Sequence, residues 1–355
     1  MSKVPAIFYF EILFKALVFF FSISIVLMPS FKRLLLGHEL FTFLSAILLI
    51  SVSISKNDIK KIILLFSLLL FCLILLIFKS NYQVAYIYVN LGFFFFILLL
   101  IFMNKLKINK IYFDKSIVIV TIFLILHISI ASLYFKLDRI NSPGYYLINS
   151  YYGDSHWFSF YTSIVFFYFR KNLFLTSKFY LFFIELILFA CLVLIQSRTG
   201  IYVYILLRII WLPYNNSKTL LIVSILFIFI SLLISFYDFG FRSLKFDGSE
   251  DSFRLEVFNN GINFLFTNVN TILFGNPFAF EGMKRYYDNF ALQISLLYGL
   301  PFLILLNFLY LYLYRSFRLF LSFFIILPLT GFLQIPSIAL LYFILMKNSM
   351  ESEQL

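Results

Sequence analysis

The sequence predicts an all-α polytopic integral membrane protein with about 11 to 12 transmembrane helices and one long extracytoplasmic loop. Sixty-three per cent of its residues are hydrophobic, 12% are charged and its mean hydropathy is +0.99. Soluble domains are instead about half apolar and about a quarter charged. Apolar runs of about 20 residues, the length that crosses a bilayer, recur from end to end. We therefore treat residues 1–355 as one transmembrane domain.

Each apolar run is interpreted as one candidate span, and the first is expected to stay in the mature protein because no small-residue cleavage site follows it. The candidates are Ile7–Met28, Leu34–Ile54, Ile62–Phe78, Val84–Met103, Ser116–Phe135, Trp157–Phe169, Phe179–Ile195, Ile201–Leu212, Leu220–Tyr237, Phe290–Tyr314 and Leu319–Met346. The last contains Pro328, Gly331 and Pro336, so it is either one kinked helix or two short helices. This choice leaves open both the span count and the side of the C-terminus.

Orientation is predicted from the bases in alternate loops, because cytoplasmic loops carry the excess of Lys and Arg. One set of loops holds fifteen bases: Lys3, Lys56, Lys60, Lys61, Lys105, Lys107, Lys110, Lys115, Arg170, Lys171, Lys178, Arg208, Lys218, Arg315 and Arg318. The short loops of the other set hold six: Lys32, Arg33, Lys79, Lys136, Arg139 and Arg198. The N-terminus is thus expected in the cytoplasm, and residues 238–288 on the outer face.

Composition argues against several classes of function. The net charge of +12 lies in loops between spans, where membrane orientation accounts for it, and does not indicate nucleic acid. The abundant Phe and Tyr are interpreted as lipid-facing residues. Cys72 and Cys191 lie in apolar runs without ligand spacing, so neither a disulfide framework nor a metal site is predicted. Nucleotide-binding and soluble-hydrolase motifs are missing, and no cofactor is expected.

A few ionisable residues fall inside the candidate spans. Glu11 and Lys15 are four residues apart and can pair on one helix face, which favours packing or orientation over function. Glu185 has no partner nearby in the sequence. His127 lies among apolar residues and is interpreted as a packing residue, with a proton relay as the alternative.

In the outer loops from Lys136 onward, arginine outnumbers lysine five to three. Their arginines are Arg139, Arg198, Arg242, Arg254 and Arg285. Arginine is the side chain that grips phosphate oxygens with a planar fork, although ordinary solvated charge explains these residues equally well. Arg198 stands out because Ser197-Arg198-Thr199-Gly200 joins two spans almost without a loop. We expect a tight turn with exposed backbone N–H groups, which is an anion cradle or else an interfacial turn anchored by a base.

Residues 238–288 form the long extracytoplasmic loop, which carries 12 of the 44 charged residues. Asp247–Asp251 is interpreted as a solvated turn rather than a divalent-cation site. The stretch from Arg254 to Phe274 predicts an amphipathic helix on the outer leaflet, with one apolar stripe formed by Leu255, Phe258, Ile262, Leu265 and Phe266. Asp288 precedes the next span, where partial burial suits a general base and an N-terminal cap is an equal alternative.

The order of these motifs resembles the O-antigen polymerase and O-antigen ligase superfamily. Ser197-Arg198-Thr199-Gly200 is similar to its SR-small-Gly turn, and Leu273–Pro277 is similar to its N-P turn in the long loop. Asp288-Asn289-Phe290-Ala291-Leu292-Gln293, followed by Tyr298-Gly299-Leu300, resembles the segment that re-enters the membrane. Ligases of this family carry His where this chain has Asp288. The resemblance is therefore closer to the repeat-unit polymerases.

The resemblance implies a metal-independent and nucleotide-sugar-independent glycosyltransferase of the bacterial cytoplasmic (inner) membrane. Its substrates would be undecaprenyl-diphosphate-linked glycans, in contact with membrane lipid, and a chain-length regulator and a flippase would be its partners. The implied catalytic residues are Asp288, Arg198 and Arg254, and the implied substrate-binding residues are Arg139, Arg242, Arg285, Asn289 and His156. Asp154, His156 and Glu281 are the alternative bases. A lipid-linked oligosaccharide flippase and an O-antigen ligase remain the alternative functions.

Overall fold

A computed structural model describes residues 6–24, 26, 35–77, 94–133, 155–173, 177–195, 198–211, 260–276, 290–314, 318, 322 and 336–351. Over these ranges the chain is all-helical and contains no β-strand, which confirms the predicted all-α class. The ninth candidate span, Leu220–Tyr237, lies outside the described residues.

Most helices overlap the predicted spans, because apolar runs of this length are most stable when every backbone group is paired within the helix. They are α1 (Ala6–Ser24), α2 (Leu35–Ser53), α3 (Ile59–Ile77), α4 (Phe94–Lys105), α5 (Lys110–Leu133), α6 (Ser155–Lys171), α7 (Lys178–Leu194), α8 (Arg198–Ile210), α9 (Val269–Phe274), α10 (Phe290–Tyr298), α11 (Leu300–Tyr314) and α12 (Pro336–Glu351). The last turn of α4, Met103–Lys105, is a 3-10 turn. The last helix differs from the predicted Leu319–Met346, since it runs from Pro336 to Glu351.

One predicted span is corrected by the structure. Phe290–Tyr314 is not a single helix, because the chain breaks at Gly299 and forms α10 and α11 on either side of it. Gly299 has φ +90°, a conformation that ends a right-handed helix. Pro301 follows within the first turn of α11, where a missing N–H costs no helical hydrogen bond.

Length and hydropathy identify one described helix that could cross a membrane alone, Lys110–Ala131. A second is obtained if Phe41–Ser53 and Lys56–Leu70, whose axes differ by 111°, are taken as one broken span. The other apolar helices are shorter over their described residues.

The described residues divide into two compact units. One is drawn from Met1–Leu65, Tyr88–Tyr204 and Gln334–Leu355, and the other from Phe66–Ile87 and Ile205–Leu333. In the first unit α5 packs against α1, α6 and α7, while α12 packs against α2 and α6. In the second unit α9 packs against both α10 and α11.

Helix α5 begins six residues earlier than predicted, at Lys110. Asn109 caps it, since its side-chain oxygen lies 3.4 Å from the Tyr112 amide nitrogen. The Asn109 N–H in turn donates to Ser22 Oγ near the end of α1, at 2.9 Å. The start of α5 therefore lies beside the end of α1.

The turn between α2 and α3 is held by a buried carboxylate. Asp58 Oδ2 lies 2.7 Å from Lys105 Nζ at the end of α4. The same oxygen accepts hydrogen bonds from the Ser55 N–H at 2.9 Å and the Ser55 hydroxyl at 2.7 Å. Lys105, followed by Ser55, lowers the pKa of Asp58 well below its usual range. The interaction fixes this turn to the end of α4.

Asp58 is expected to make stability pH-dependent. Its folded pKa is lowered, so its contribution is complete above its ordinary pKa of about 4 and declines as pH falls further. Asp58→Asn should lower the thermal unfolding midpoint at neutral pH and weaken the loss of stability as pH falls below about 4. Thermal unfolding in detergent measures both effects.

The control is Lys56→Gln, which changes an exposed residue of the same turn. It leaves Asp58, Ser55 and Lys105 in place, so this variant should unfold like wild type. Equal midpoints for Asp58→Asn and wild type at neutral pH would show that the Asp58 interaction is not stabilising.

Candidate functional site

Most of the predicted site residues lie outside the described residues. These are Asp288, Arg254, Arg139, Arg242, Arg285 and Asn289, together with Asp154, Glu281 and Asp247–Asp251. Arg198 and His156 are described as helical positions, at the starts of α8 and α6. Of the predicted site, the described residues therefore include the backbones of Arg198 and His156.

Gly200 is a helix-packing residue rather than the turn residue that the sequence suggested. It lies in the first turn of α8 and is buried against α6. A Cβ at this position would collide with Ser159 Oγ and lie 2.9 Å from Ser163 Oγ. Ser163 Oγ lies 2.7 Å from the Gly200 carbonyl oxygen and 2.6 Å from that of Ser159, so its single proton can be shared between them. The glycine allows α6 and α8 to approach closely.

This contact brings two helix starts to one end of the first unit. It joins Ser159, four residues into α6, to Gly200, two residues into α8. At 1.5 Å per residue, both helices begin within about 6 Å of the contact along their axes. The backbones of His156 and Arg198 therefore lie at the same end. Each helix start also carries unpaired N–H groups and a partial positive charge, which attract anions.

The described part of the long loop contains two helical segments instead of one continuous amphipathic helix. Residues 260–265 are helical, and α9 follows after a break. Asn268 caps α9, since its side-chain oxygen accepts from the N–H groups of Asn270 at 2.6 Å and Thr271 at 3.2 Å. The predicted stripe is only partly correct, because Leu265 is buried while Phe266 is 59% exposed.

The loop closes on the break between α10 and α11 through two glycines, an arrangement we call the glycine clasp (Gly275 and Gly299). Gly275 has φ +70°, and a Cβ there would lie 2.6–2.7 Å from backbone atoms of Leu296 and Leu297. A Cβ on Gly299 would collide with the Leu273 carbonyl group. The Asn276 N–H donates to the Leu296 carbonyl at 2.6 Å, a carbonyl near the end of α10.

The clasp joins two motifs that are separate in the sequence. Leu273–Pro277 was singled out as the loop turn, and Tyr298-Gly299-Leu300 as part of the segment that follows. Their backbones touch where Gly299 meets Leu273. Neither Gly275 nor Gly299 has room for a side chain. Pro277 itself lies outside the described residues.

Two polar networks in the first unit were not predicted. Glu185 of α7 lies 2.6 Å from Arg170 Nε of α6, and its other oxygen accepts a hydrogen bond from the Tyr204 hydroxyl of α8 at 2.8 Å. The Tyr168 hydroxyl donates to Asp114 Oδ1 at 2.9 Å and lies 3.4 Å from Asn348 Nδ2. The first network supplies the partners that Glu185 lacks within its own sequence neighbourhood.

The second network shows which helix ends lie together. It joins the start of α5, the end of α6 and the end of α12. His127, further along α5, stacks on Phe123 and meets the edge of Phe158, which agrees with its interpretation as a packing residue. Among the residues with described side chains, no group of three or more His, Cys, Asp or Glu could hold a metal ion.

Comparison with known proteins gives no match: no family model, no curated protein and no solved structure is significantly similar to this chain.

Proposed function

We propose that this protein is a polytopic membrane glycosyltransferase that polymerises undecaprenyl-diphosphate-linked oligosaccharide repeat units at the outer face of the cytoplasmic membrane. The product would be an O-antigen or a capsular polysaccharide. The observation that carries the proposal is the glycine clasp, because it couples two of the motifs on which the family resemblance rests.

The end of the first unit that carries Arg198 and His156 supports an anionic substrate. Two helix starts meet there through Gly200, and both attract negative charge. A diphosphate bound at this end would accept hydrogen bonds from backbone N–H groups. It would also accept two parallel hydrogen bonds from the Arg198 guanidinium. Arg254, Arg139, Arg242 and Arg285 would supply further positive charge from the outer loops.

The proposed reaction transfers a growing glycan from its lipid diphosphate to a sugar hydroxyl of a second lipid-linked unit. The acceptor oxygen bonds to the anomeric carbon of the donor, and the bond from that carbon to the diphosphate breaks. The electron pair leaves with the diphosphate, whose charge Arg198 and Arg254 stabilise. The proton of the acceptor hydroxyl passes to the Asp288 carboxylate. This scheme requires neither a nucleotide sugar nor a metal ion.

A membrane location is supported by the outward faces of the described helices. On α5, Ile119 is 66% exposed and Leu126 57%; on α7, Phe179 is 68% exposed and Phe182 65%. A water-soluble protein rarely exposes apolar surfaces of this extent. On α9, Val269 is 67% exposed, which suits contact between the loop and the lipid surface. Lipid would cover these faces.

The flippase alternative is less well supported. A flippase would need arginines inside the bundle that are available to the lipid diphosphate as it crosses. Of the arginines with described side chains, Arg170 in the last turn of α6 is 18% exposed and is paired with Glu185. Its charge is therefore already neutralised within the protein.

Deleting the gene is the direct test of this function. We expect single repeat units on the lipid carrier at the outer face and no longer chains, as read from a glycan ladder and from cleavage by added glycosidases. Loss of a flippase would instead trap the units inside, and loss of a ligase would leave long chains on the lipid carrier. Either of these outcomes would reject the polymerase.

Asp288→Asn should abolish polymer while the protein still folds, because Asn keeps the size and capping ability of Asp but cannot take a proton. The glycan ladder at matched protein levels is the measurement, with Asp251→Asn as the control from the same loop. Normal chains from Asp288→Asn would leave Asp288 as a helix cap. The base would then be sought at Asp154, His156 or Glu281.

Reporter fusions test the proposed topology. Fusions within Leu173–Ser177 and after Glu351 should report cytoplasm, the latter because the end of α12 lies with the end of α6. A fusion within Gly248–Ser252 should report the outside; a cytoplasmic signal there would contradict the proposal.

If every predicted span crosses the membrane, the end of α1 and the start of α5 lie on opposite faces. The hydrogen bond from the Asn109 N–H to Ser22 instead brings these two helix ends together. A further fusion at Ser30 therefore tests α1 separately.

A further inference from the structure

The network formed by Arg170, Glu185 and Tyr204, here called the α8 triad, ties three helices together at one carboxylate. Each Glu185 oxygen faces a different helix, with Arg170 Nε at 2.6 Å and the Tyr204 hydroxyl at 2.8 Å. Arg170 is 18% and Glu185 27% exposed, and Tyr204 is buried. The triad is therefore partly buried between three helices, at the last turn of α6.

Burying charged groups between helices costs desolvation free energy, and packing of the helices does not require such groups. Apolar side chains of similar volume usually stabilise a protein as well as a buried ion pair does. In some proteins a buried polar network specifies one helix register, because a shifted or rotated helix would leave its charged members unpaired. On the apolar surface of α8, the buried residues are Val203, Leu206 and Leu207. Apolar packing of this kind favours one register over another much less strongly.

The triad is attached to α8 at Tyr204, one helical turn after the contact between Gly200 and α6. Gly200 and Tyr204 are four residues apart and so lie on one face of the helix. Gly200 meets Ser159 and Ser163, while Tyr204 is joined to Arg170 through Glu185. Two attachments on one face fix both the rotation of α8 and its position along the axis.

We infer that the α8 triad positions the first turn of α8, and with it Arg198, for the substrate diphosphate. This inference rests on the proposed function. Tyr204 lies six residues after Arg198, about 9 Å along the helix, so it acts through the helix and not by contact with substrate. Arg170, Glu185 and Tyr204 are therefore positioning residues.

The test replaces the whole triad with apolar residues: Arg170→Met, Glu185→Leu and Tyr204→Phe together. The triple variant should unfold at or above the wild-type temperature, since no charge is left unpaired. Its rate of chain extension per folded protein should nevertheless fall at least about tenfold, the scale of misplacing a catalytic group by a fraction of an ångström to an ångström. If stability and rate both match wild type, the inference is overturned.

Tyr168→Phe is the matched control for Tyr204→Phe. Tyr168 is also buried and also donates to a carboxylate, that of Asp114 at 2.9 Å, but its partners lie on α5 and α12. Tyr168→Phe should keep its rate within about twofold of wild type, whereas Tyr204→Phe should lose much more. Equal losses in the two variants would assign Tyr204 a merely structural role.

A second readout is independent of catalysis. Cysteines at Ser155 and Thr199, in a background with Cys72→Ala and Cys191→Ala, report the approach of the two helix starts through their rate of disulfide formation. We expect the triple apolar variant to slow this rate severalfold, and an unchanged rate overturns the inference. If the wild-type protein makes no polymer, the proposed function fails, while the disulfide comparison still decides whether the triad positions α8.

Discussion

Gly299→Ala is expected to abolish polymer formation and to lower the yield of folded protein. Gly299 has φ +90°, and a positive φ costs a non-glycine residue about 1–2 kcal/mol before any collision is counted. An added Cβ would also meet the Leu273 carbonyl group, which belongs to the backbone and cannot rotate away. The glycine clasp must then open, and Asn276 would lose its bond to Leu296.

Gly275→Ala should give the same result, since it meets the other side of the clasp. Pro301→Ala is the control, because Pro301 is exposed in the first turn of α11. The measurements are the glycan ladder in cells that lack the native gene and the thermal midpoint of purified protein. A normal ladder and midpoint from both glycine variants would show that the clasp does not form.

Arg198→Lys and Arg254→Lys are expected to fail as completely as the alanine variants. The proposal requires a planar fork on the diphosphate, and an ammonium group provides only a point charge. Loss of such a contact should cost about 2–4 kcal/mol of transition-state stabilisation. This is about 30-fold to 1000-fold in rate. The glycan ladder at matched membrane protein levels measures the loss.

Arg208→Lys is the control for these arginine variants. Arg208 lies in the last turn of α8, at the opposite end of the helix from Arg198. It is one of the predicted cytoplasmic bases, for which lysine serves equally well. This variant should therefore give long chains. Long chains from Arg198→Lys and Arg254→Lys would contradict the diphosphate clamp.

The positions of most helices could be predicted because apolar runs directly encode buried or lipid-facing helices. The errors fell where a local signal was overlooked. The lysines at the start of α5 suggested a loop, although Asn109 offers a cap that begins the helix at Lys110. Gly299 and Pro301 together signal the break in the tenth span, but the surrounding apolar residues concealed it.

The α8 triad could not have been predicted from one sequence. Arg170 and Tyr204 lie fifteen and nineteen residues from Glu185, so neither shares a helix with it. Their meeting depends on how three helices pack, and apolar composition does not specify that arrangement. Of the candidate site, the sequence supplied the residue types and their order. The structure added the approach of α6 to α8 at Gly200 and the contact between the loop and Gly299.

The pairing of charges in the first unit bears on how the protein responds to the membrane potential. Arg170 is paired with Glu185, Lys105 with Asp58 and Lys15 with Glu11. Moving one unpaired elementary charge across a membrane potential of 100 mV involves about 2.3 kcal/mol of electrical work. Helix movements that carry neutral pairs do almost no electrical work. These three pairs would therefore add little voltage dependence to the proposed glycan transfer.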